Sequence, residues 1–267
     1  MRRDTTAGLP LCRFDCLDVP GVVHGVTTRA GGVSVGPYAS LNLSLHGGDA
    51  ADRVLTNRRR VSDALGVPLD SWVAAQQVHR DTVAVVGPAD RGRGAVSFDT
   101  AVPDTDALVT ATPGLTLVTL SADCPLVGIV DPAVPAVGLA HASWRSTVRR
   151  IVARTVDRMV ASFGCDAARM RAAVAPSAGP CCYEVGEEVR EAARRSLARA
   201  DRFLDERDGR LVFDLWSANL AQLVESGVPA EAVEVAAVCS ICDDAFFSYR
   251  RTGAPVGHIG FLLGIRP

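Results

Sequence analysis

The sequence predicts one α/β domain built around a mixed sheet. The chain has 267 residues, of which 48% are hydrophobic, and this is enough to bury one large core. Amphipathic segments with helical spacing alternate irregularly with short β-branched runs, whereas a purely parallel sheet needs a regular alternation. We find no internal repeat, low-complexity tract or linker. We therefore expect a single domain over residues 1–267, with residues 1–20 as a peripheral N-terminal segment.

Short β-branched or apolar runs between turn residues predict the strands. In chain order these are Val22–Thr27, two strands within Trp72–Val86, then Leu115–Leu120, Leu126–Val130, Ala136–Ala140, Met170–Ala175, Val233–Val238, Phe246–Arg250 and Val256–Leu263. Apolar residues spaced three and four apart predict the helices. These are Arg53–Leu65, Thr147–Phe163, Gly186–Leu204 and Asp214–Ser226.

The runs Leu126–Val130 and Ala136–Ala140 flank a proline-rich turn and predict a buried hairpin. Folding this hairpin about Ala133 brings Cys124 close to His141, because opposed residues on paired strands lie about 5 Å apart at Cβ. The spacing therefore places a thiol and an imidazole at the open end of the hairpin.

The composition excludes several classes of protein. The 28 basic residues are all arginine, so there is no lysine for a Schiff base, for pyridoxal phosphate or for a Walker-type phosphate loop. The formal net charge of −2 gives no strong attraction to a polyanion, and we expect no nucleic-acid partner. No apolar run reaches the roughly 18 residues needed to cross a membrane. We expect a cytoplasmic protein with reduced cysteines, and the sequence does not specify an oligomeric state.

Eight cysteines are present, some in close pairs such as Cys239-Ser-Ile-Cys242. A single pair of this kind is weak evidence for zinc, since a four-thiolate site needs a second pair at a fitting distance. The pattern favours ordinary buried thiols at these positions. His24 and His46 have no partner at ligand spacing, and we interpret both as structural.

His79 follows a predicted strand and joins Cys124 and His141 as a candidate ligand. Two histidines and one cysteine can bind zinc with one coordination position open, which is the pattern of a catalytic site. The same donors suit copper. A metal-free Cys124–His141 dyad, in which the imidazole takes the thiol proton, and the absence of any function here remain as alternatives.

Longer motifs run in order along residues 21–263. They include HGVTTRAGGVS, QQVH, DTDALVT, SADCPLVGIVDP, GLAHASWRSTV, GPCCYEVG, FDLWSANLAQL and FFSYRR. With these motifs the sequence resembles the laccase-domain family, also called the YfiH-type or multicopper polyphenol oxidase family, now largely described as purine nucleoside phosphorylases. The resemblance implies one laccase domain with an α/β sandwich fold related to the catalytic domain of cytotoxic necrotizing factor, where a Cys–His pair is catalytic.

The resemblance also implies a metal site and a substrate. The family's ligands are the His of Q-V-H, the Cys of A-D-C and the His of H-A-G-W-R-G, which correspond here to His79, Cys124 and His141. Zinc is the expected ion and copper the alternative. The implied reaction is phosphorolysis of adenosine, inosine or methylthioadenosine with some adenosine deamination, so the expected partners are a small-molecule nucleoside and phosphate.

Residue roles follow from this implied reaction. An oxocarbenium-like transition state needs nearby negative charge and assistance to the departing base. We expect Asp123 to orient a ligand or to stabilise positive charge on the sugar, beside Cys124 and His141 as catalytic residues. Arg29, Arg58 and Arg145 are expected to bind phosphate. Tyr183 and Glu184 are expected to line the purine pocket.

The sequence departs from the family pattern at several points. Both glycines of H-A-G-W-R-G are replaced, by Ser143 and Ser146, and the usual late Gly-Arg is Gly257-His258. These changes concern substrate choice, so a specialised paralogue with another substrate remains an alternative. Others are a copper phenol oxidase, a hydrolase that edits cell-wall precursors through Cys124, and a non-catalytic binding protein. The five histidines argue against the several copper sites of a multicopper oxidase.

Overall fold

A computed structural model describes residues 1–267 and contains two six-stranded mixed sheets packed against each other. The strands are β1 (Arg2–Thr6), β2 (Leu9–Arg13), β3 (Val22–Thr27), β4 (Trp72–Ala74), β5 (Val83–Val85), β6 (Ala107–Thr110), β7 (Thr116–Ser121), β8 (Leu126–Asp131), β9 (Ala136–His141), β10 (Arg171–Val174), β11 (Leu204–Arg207), β12 (Arg210–Phe213), β13 (Val233–Val235) and β14 (Ile259–Ile265). The helices are α1 (Ala51–Leu65), α2 (Trp144–Val148), α3 (Ile151–Phe163), α4 (Glu187–Ser196), α5 (Leu215–Glu225) and α6 (Tyr249–Thr252). None of these helices has both the length and the apolar character that a membrane span requires.

Strand order confirms the predicted mixed sheet. The first sheet runs β1-β2-β3-β14-β7-β4 and the second runs β13-β10-β8-β9-β6-β5, while β11 and β12 form a separate hairpin. Most neighbouring strands are antiparallel, but β4 with β7, β5 with β6 and β10 with β13 are parallel. The chain therefore folds as a mixed α/β domain.

The main core lies between the two sheets, and the helices cover their outer faces. Phe261 of β14 and Leu139 of β9 belong to the same buried cluster. Gly128 of β8 lies directly under the Phe261 ring, and a Cβ there would come within 2.7 Å of the ring. Helix α3 packs on the second sheet through residues such as Val156, and α1 packs on the first through residues such as Val61.

The N-terminal segment lies at the edge of the first sheet, but it also contributes to the core. β1 is the edge strand and pairs with β2, which pairs with β3. Leu11, Phe14 and Leu17 are fully buried in this segment. Residues 1–20 are therefore peripheral in position only, because their apolar side chains complete the interior.

Three segments differ from the sequence prediction. Phe246–Arg250 is not a strand, because Ser248 caps a short helix, α6, by accepting a hydrogen bond from the Arg251 N–H. Thr147–Phe163 is not one helix, because Arg150 has a left-handed backbone (φ 63°) that separates α2 from α3. The helix predicted over Gly186–Leu204 ends at Ser196.

The hairpin β11–β12 explains why the chain leaves the helical pattern after α4. Asp208 and Gly209 have φ angles of 52° and 72° between the two strands. An Asp-Gly pair with both φ angles positive is the signature of a two-residue type I′ turn. The Asp-Gly pair is therefore the local sequence signal for this hairpin.

Candidate metal centre and adjoining cleft

The structure brings His79, Cys124 and His141 together. Their ligand atoms all lie within 4.8 Å of one another. The two imidazole rings are 4.9 Å apart between centroids and nearly perpendicular, at 78°. Three side chains from three separate segments therefore converge as a group that can hold one metal ion.

The central hairpin positions two of these residues, with a register different from the simplest expectation. Leu126, not Cys124, is directly opposite His141. Cys124 lies two residues earlier, in the turn that follows β7, where its carbonyl accepts a hydrogen bond from Ser121 Oγ at 2.7 Å. Asp123 has a φ of 97° in this turn. The tight turn, rather than cross-strand pairing, directs the thiol towards His141.

His79 belongs to a loop fixed by side-chain hydrogen bonds. Gln77 imitates a neighbouring strand: its Nε2 donates to the Leu120 carbonyl at 2.8 Å, and its Oε1 accepts from the Leu120 N–H at 2.9 Å. His79 itself has a left-handed backbone, with φ 59°. The loop after β4 is thereby attached to β7, the strand that leads to Cys124.

Asp106, which the sequence interpretation did not select, connects the two histidines. Its carboxylate is fully buried and accepts backbone hydrogen bonds from Val78, His79 and Arg80 at 2.7–3.2 Å. It also lies 2.9 Å from Nδ1 of His141. With Nδ1 held by this carboxylate, Nε2 of His141 is the nitrogen left for a metal, an arrangement common to metal-binding histidines. The available signal was an acidic residue immediately before a buried strand.

The charges at the site favour a deprotonated thiol. Burial by itself raises the pKa of Cys124, but the charge of His141 and hydrogen bonds from both histidines outweigh it and hold the pKa below its ordinary value. Burial lowers the pKa of His141, but Cys124 and Asp106 reverse this and raise it. Thiolate is the form that binds metals. The donor set therefore fits a metal ion.

A cleft of about 490 Å³ adjoins the three residues. Most of its exposed lining area is apolar, from residues such as Leu215 and Val256, and polar side chains from several separate loops also line it. The residues that the sequence interpretation had not selected for this cleft include His46, Gln77, Tyr249, Arg250 and His258. An apolar cleft with convergent polar groups is the usual form of a small-molecule site.

Asp123 joins the metal centre to two loops of the cleft wall. Its carboxylate accepts hydrogen bonds from Ser240 Oγ and from the Arg250 N–H, both at 2.6 Å. Its carbonyl accepts from the Ala178 N–H at 2.8 Å. This residue lines the cleft and also holds its wall in place.

The three arginines expected at phosphate lie outside this cleft. Arg58 is 2% exposed, and its guanidinium donates to the carbonyls of Leu43, Gly94 and Ala95. Its donors are thus used inside the fold, so its observed environment is that of a structural residue. Arg29 donates to the Ala39 carbonyl, and Arg145 is exposed over the Trp144 ring.

Tyr183 lines the cleft, whereas Glu184 lies in a neighbouring exposed groove. The Arg250 guanidinium lies 4.9 Å from the centre of the Tyr183 ring, and its Nη1 donates to the Glu184 carbonyl at 2.6 Å. Burial raises the pKa of the Tyr183 phenol. Arg250 is therefore the arginine that the fold brings to the cleft.

Two further histidines form part of the cleft wall. The rings of His46 and His258 are 5.7 Å apart, and His46 also packs on Phe98. Burial lowers the pKa of His258 to about 4, and its Nδ1 is buried without a hydrogen-bond partner. His46 lines the cleft, and it also lies 3.1 Å from Ser44 Oγ through its Nδ1. His24 is buried and accepts a hydrogen bond from the Phe14 N–H, as a structural histidine does.

The family model for multi-copper polyphenol oxidoreductase laccase matches residues 23–266. The chain belongs to this laccase family. A match over nearly the whole chain agrees with one continuous fold.

Individual relatives of the laccase family agree in length and in fold. "Purine nucleoside phosphorylase YlmD" of Geobacillus stearothermophilus is 39% identical over 249 residues, covering 92% of this chain and 91% of that protein. The crystal structure titled YlmD from the same organism has a TM-score of 0.92 at 37% identity, covering 97% of this chain and 96% of the other. "Purine nucleoside phosphorylase" of Deinococcus radiodurans is 41% identical over 261 residues, covering 98% of this chain and 95% of that protein. "Adenosine deaminase RL5", from an unknown prokaryotic organism, is 36% identical over 254 residues, covering 92% of this chain and 97% of that protein.

Proposed function

We propose that this protein is a zinc-dependent purine nucleoside phosphorylase that also deaminates adenosine. The observation that carries the proposal is the convergence of His79, Cys124 and His141 beside a cleft of nucleoside size. Full-length relatives named purine nucleoside phosphorylase and adenosine deaminase supply the reaction classes. The substrates are a purine nucleoside and inorganic phosphate, and we propose a cytoplasmic location, where free thiols persist.

The three residues would hold zinc with one coordination position open to a substrate or a water molecule. Three protein ligands that include histidine or cysteine, with the fourth position open, are the pattern of catalytic zinc sites. When bound, zinc supplies a Lewis acid that stabilises negative charge and lowers the pKa of a coordinated water. Asp106 would keep His141 in the correct tautomer.

Phosphorolysis forms a bond between a phosphate oxygen and C1′ of the ribose and breaks the bond from C1′ to the purine nitrogen. The departing base carries the bonding electrons and takes a proton, and the products are the free base and ribose 1-phosphate. Asp123, a carboxylate on the cleft wall, would stabilise positive charge on the sugar. Arg250 would bind phosphate, because it is the one arginine that lines the cleft. Tyr183 would contact the base.

A phenol oxidase using several coppers has less support, despite the family's name. The structure contains two groups of potential metal ligands, and one of them has no histidine. A hydrolase that uses Cys124 as nucleophile has one specific observation in its favour, the lowered thiol pKa beside His141. The activities of the metal-loaded and metal-free proteins distinguish the Cys124 hydrolase from the zinc-dependent phosphorylase.

The decisive experiment measures base release from a panel of purine nucleosides, with and without phosphate, alongside the metal content of the same sample. We expect release that depends on phosphate and is lost after chelation and in Cys124→Ala. Wild-type protein reloaded with zinc is the control. Absence of release from every nucleoside, or full activity in the metal-free protein, would refute the proposal. Covalent labelling of Cys124 by a substrate in metal-free, active protein would support the hydrolase instead.

A further inference from the structure

Four cysteines form a second cluster, on the two loops that also carry Tyr183 and Ser240. The Sγ atoms of Cys181, Cys182, Cys239 and Cys242 all lie within 4.8 Å of one another. Cys242 Sγ is 3.6 Å from that of Cys181 and 3.2 Å from that of Cys182. The sequence favoured ordinary buried thiols here, but Cys181 and Cys242 are exposed. The second pair that a four-thiolate site requires is thus supplied by adjacent cysteines about 60 residues away in the chain.

Two loops with defined backbone hydrogen bonds present these thiols. The first is a turn in which the N–H groups of Cys182 and Tyr183 both donate to the Gly179 carbonyl, at 3.0 and 2.9 Å. The second is closed by the Asp243 N–H donating to the Cys239 carbonyl at 2.9 Å. Because the first loop is a turn and not a strand, the two adjacent side chains can face the same side.

The two loops are joined directly to each other. Ser177 and Cys239 form a β-bridge, with the Ser240 N–H donating to the Ser177 carbonyl at 2.9 Å. Gly179 permits this contact, since a Cβ there would lie 2.6 Å from the Trp216 ring and 3.1 Å from Cys239 Cβ. Backbone contacts between the two loops therefore hold the four thiols close to one another.

The surroundings of Cys239 favour negative charge on sulfur. The Gly179 N–H donates to Cys239 Sγ at 3.3 Å. The Arg251 guanidinium donates to the carbonyls of Ser240 and Ile241 within the same loop. Hydrogen bonds from the surrounding chain to ligand atoms are characteristic of real metal sites.

We propose that Cys181, Cys182, Cys239 and Cys242 bind a structural zinc ion, separate from the ion beside His141. Tetrahedral zinc with Zn–S bonds of about 2.3 Å requires sulfur atoms about 3.8 Å apart, and the four Sγ atoms here lie within 4.8 Å of one another. Four thiolates fill the coordination sphere, so the site is closed and structural. Thiolates also suit copper(I) and iron, and elemental analysis separates these from zinc.

The zinc site would stiffen the wall of the cleft. Tyr183 follows Cys182 directly, and Ser240, between the other two cysteines, donates to Asp123. Arg250 and Arg251 lie on the short helix that follows this loop. The ion would therefore fix the position of cleft residues without contacting substrate. The inference does not depend on which reaction the cleft performs.

Zinc stoichiometry of the intact protein tests the inference. We expect about two zinc ions per chain in wild type, and about one in either His79→Ala or Cys242→Ser, each of which damages a different site. Cys16→Ser is the matched control, because its Sγ donates to the Ala172 carbonyl away from both clusters and serine retains this bond. Undiminished zinc in Cys242→Ser, or copper or iron in place of zinc, would refute it.

Cobalt spectra report the ligands of the site directly, and alkylation of the wild type needs no variant. In His79→Ala loaded with Co²⁺, four thiolates should give intense sulfur-to-cobalt charge-transfer bands, and adding Cys242→Ser to this variant should greatly weaken them. In wild type, zinc should protect all four cysteines from iodoacetamide, and a chelator should expose them, as peptide mass spectrometry would show. Rapid alkylation of zinc-replete protein, or a native disulfide between Cys242 and Cys181 or Cys182 without zinc, would overturn the inference.

Discussion

At the scale of single residues, the candidate metal centre depends on a carboxylate that is not one of its three candidate ligands. Asp106 accepts three backbone N–H groups around His79 and lies against Nδ1 of His141. The carboxylate is fully buried, and these hydrogen bonds compensate for its loss of solvent. One side chain thus sets the position of two ligands that lie 62 residues apart in the chain.

Replacing Asp106 by Asn should lower zinc affinity by about 10- to 100-fold, the usual effect of losing a partner of a metal-binding histidine. The amide keeps the size but lacks the charge, and one of its two polar ends cannot accept hydrogen bonds. Competition with a chromophoric chelator measures the affinity. Asp104→Asn is the control, since Asp104 is exposed and asparagine tolerates its positive φ of 46°. Equal affinity in the two variants would contradict the role given to Asp106.

Arg250 should matter for phosphate, and Arg145 should not. Arg250→Gln should raise KM for phosphate by about 10-fold or more and change KM for the nucleoside much less, because a charged hydrogen bond to the anion is lost. The backbone N–H that holds Asp123 remains in this variant. Steady-state kinetics with each substrate varied in turn make the comparison. Arg145→Gln is the control, and a larger phosphate effect there would reverse the assignment.

At the scale of secondary-structure elements, the same local geometry that pairs strands also fixes buried titratable groups. In the edge region of the first sheet, the Phe14 N–H beyond β2 donates to Nε2 of His24 on β3 at 3.0 Å. The guanidinium of Arg13 donates to the His24 carbonyl. His24 is 3% exposed, so the charged form of its imidazole is disfavoured in the fold.

Stability should therefore fall in mild acid, and His24 should account for part of the fall. Burial, with Arg13 adding to it, lowers the pKa of His24 to about 4, whereas the unfolded chain has a value of about 6.5. Below about pH 6.5 the unfolded state binds more protons, so this contribution is complete above that pH and is lost as the pH falls towards 4. At its full size, the contribution of His24 to the free energy of unfolding is about 3 kcal/mol.

Urea unfolding at a series of pH values from 7 to 4 measures this dependence. His24→Gln should flatten the curve, because the amide oxygen can still accept from the Phe14 N–H but does not titrate. His258 and His46 also have lowered pKa values and leave a remaining slope of the same sign. A curve for His24→Gln as steep as that of wild type would show that another group controls acid sensitivity.

At the scale of the whole molecule, the cleft lies where strands of both sheets end, since Ser121 ends β7, His141 ends β9 and both line it. In the second sheet, Cys124 lies just before β8 and His141 ends β9. Strands β7 and β14 of the first sheet face β8 and β9 across the core. Gly128 lets the sheets approach at Phe261, beneath the hairpin. The metal centre lies at the end of this hairpin, where His141 terminates β9.

Gly128→Ala should cost about 1–3 kcal/mol of unfolding free energy, because the new methyl group overpacks the core against Phe261. Gly87→Ala is the matched control, since nothing lies within 4 Å of a Cβ there. Guanidinium unfolding of the two variants provides the measurement. If Gly128→Ala is as stable as Gly87→Ala, the sheets are more tolerant of separation than this packing indicates.

The sequence by itself determined the elements whose causes are local. The alternation of apolar and turn residues specified strand Val22–Thr27 and the central hairpin, and the motifs around His79, Cys124 and His141 indicated the family. The hairpin spacing also indicated that a thiol and an imidazole would be close, since that distance depends on a short stretch of chain.

Only the tertiary structure decided which polar residues share a site. The sequence analysis selected Arg58 and not Arg250, yet Arg58 is surrounded by backbone carbonyls and Arg250 lines the cleft. Asp106, His258 and the four clustered cysteines owe their surroundings to strands and loops far apart in the chain. Such contacts depend on how the sheets pack and how the loops cross, and neither periodicity nor local spacing carries that information.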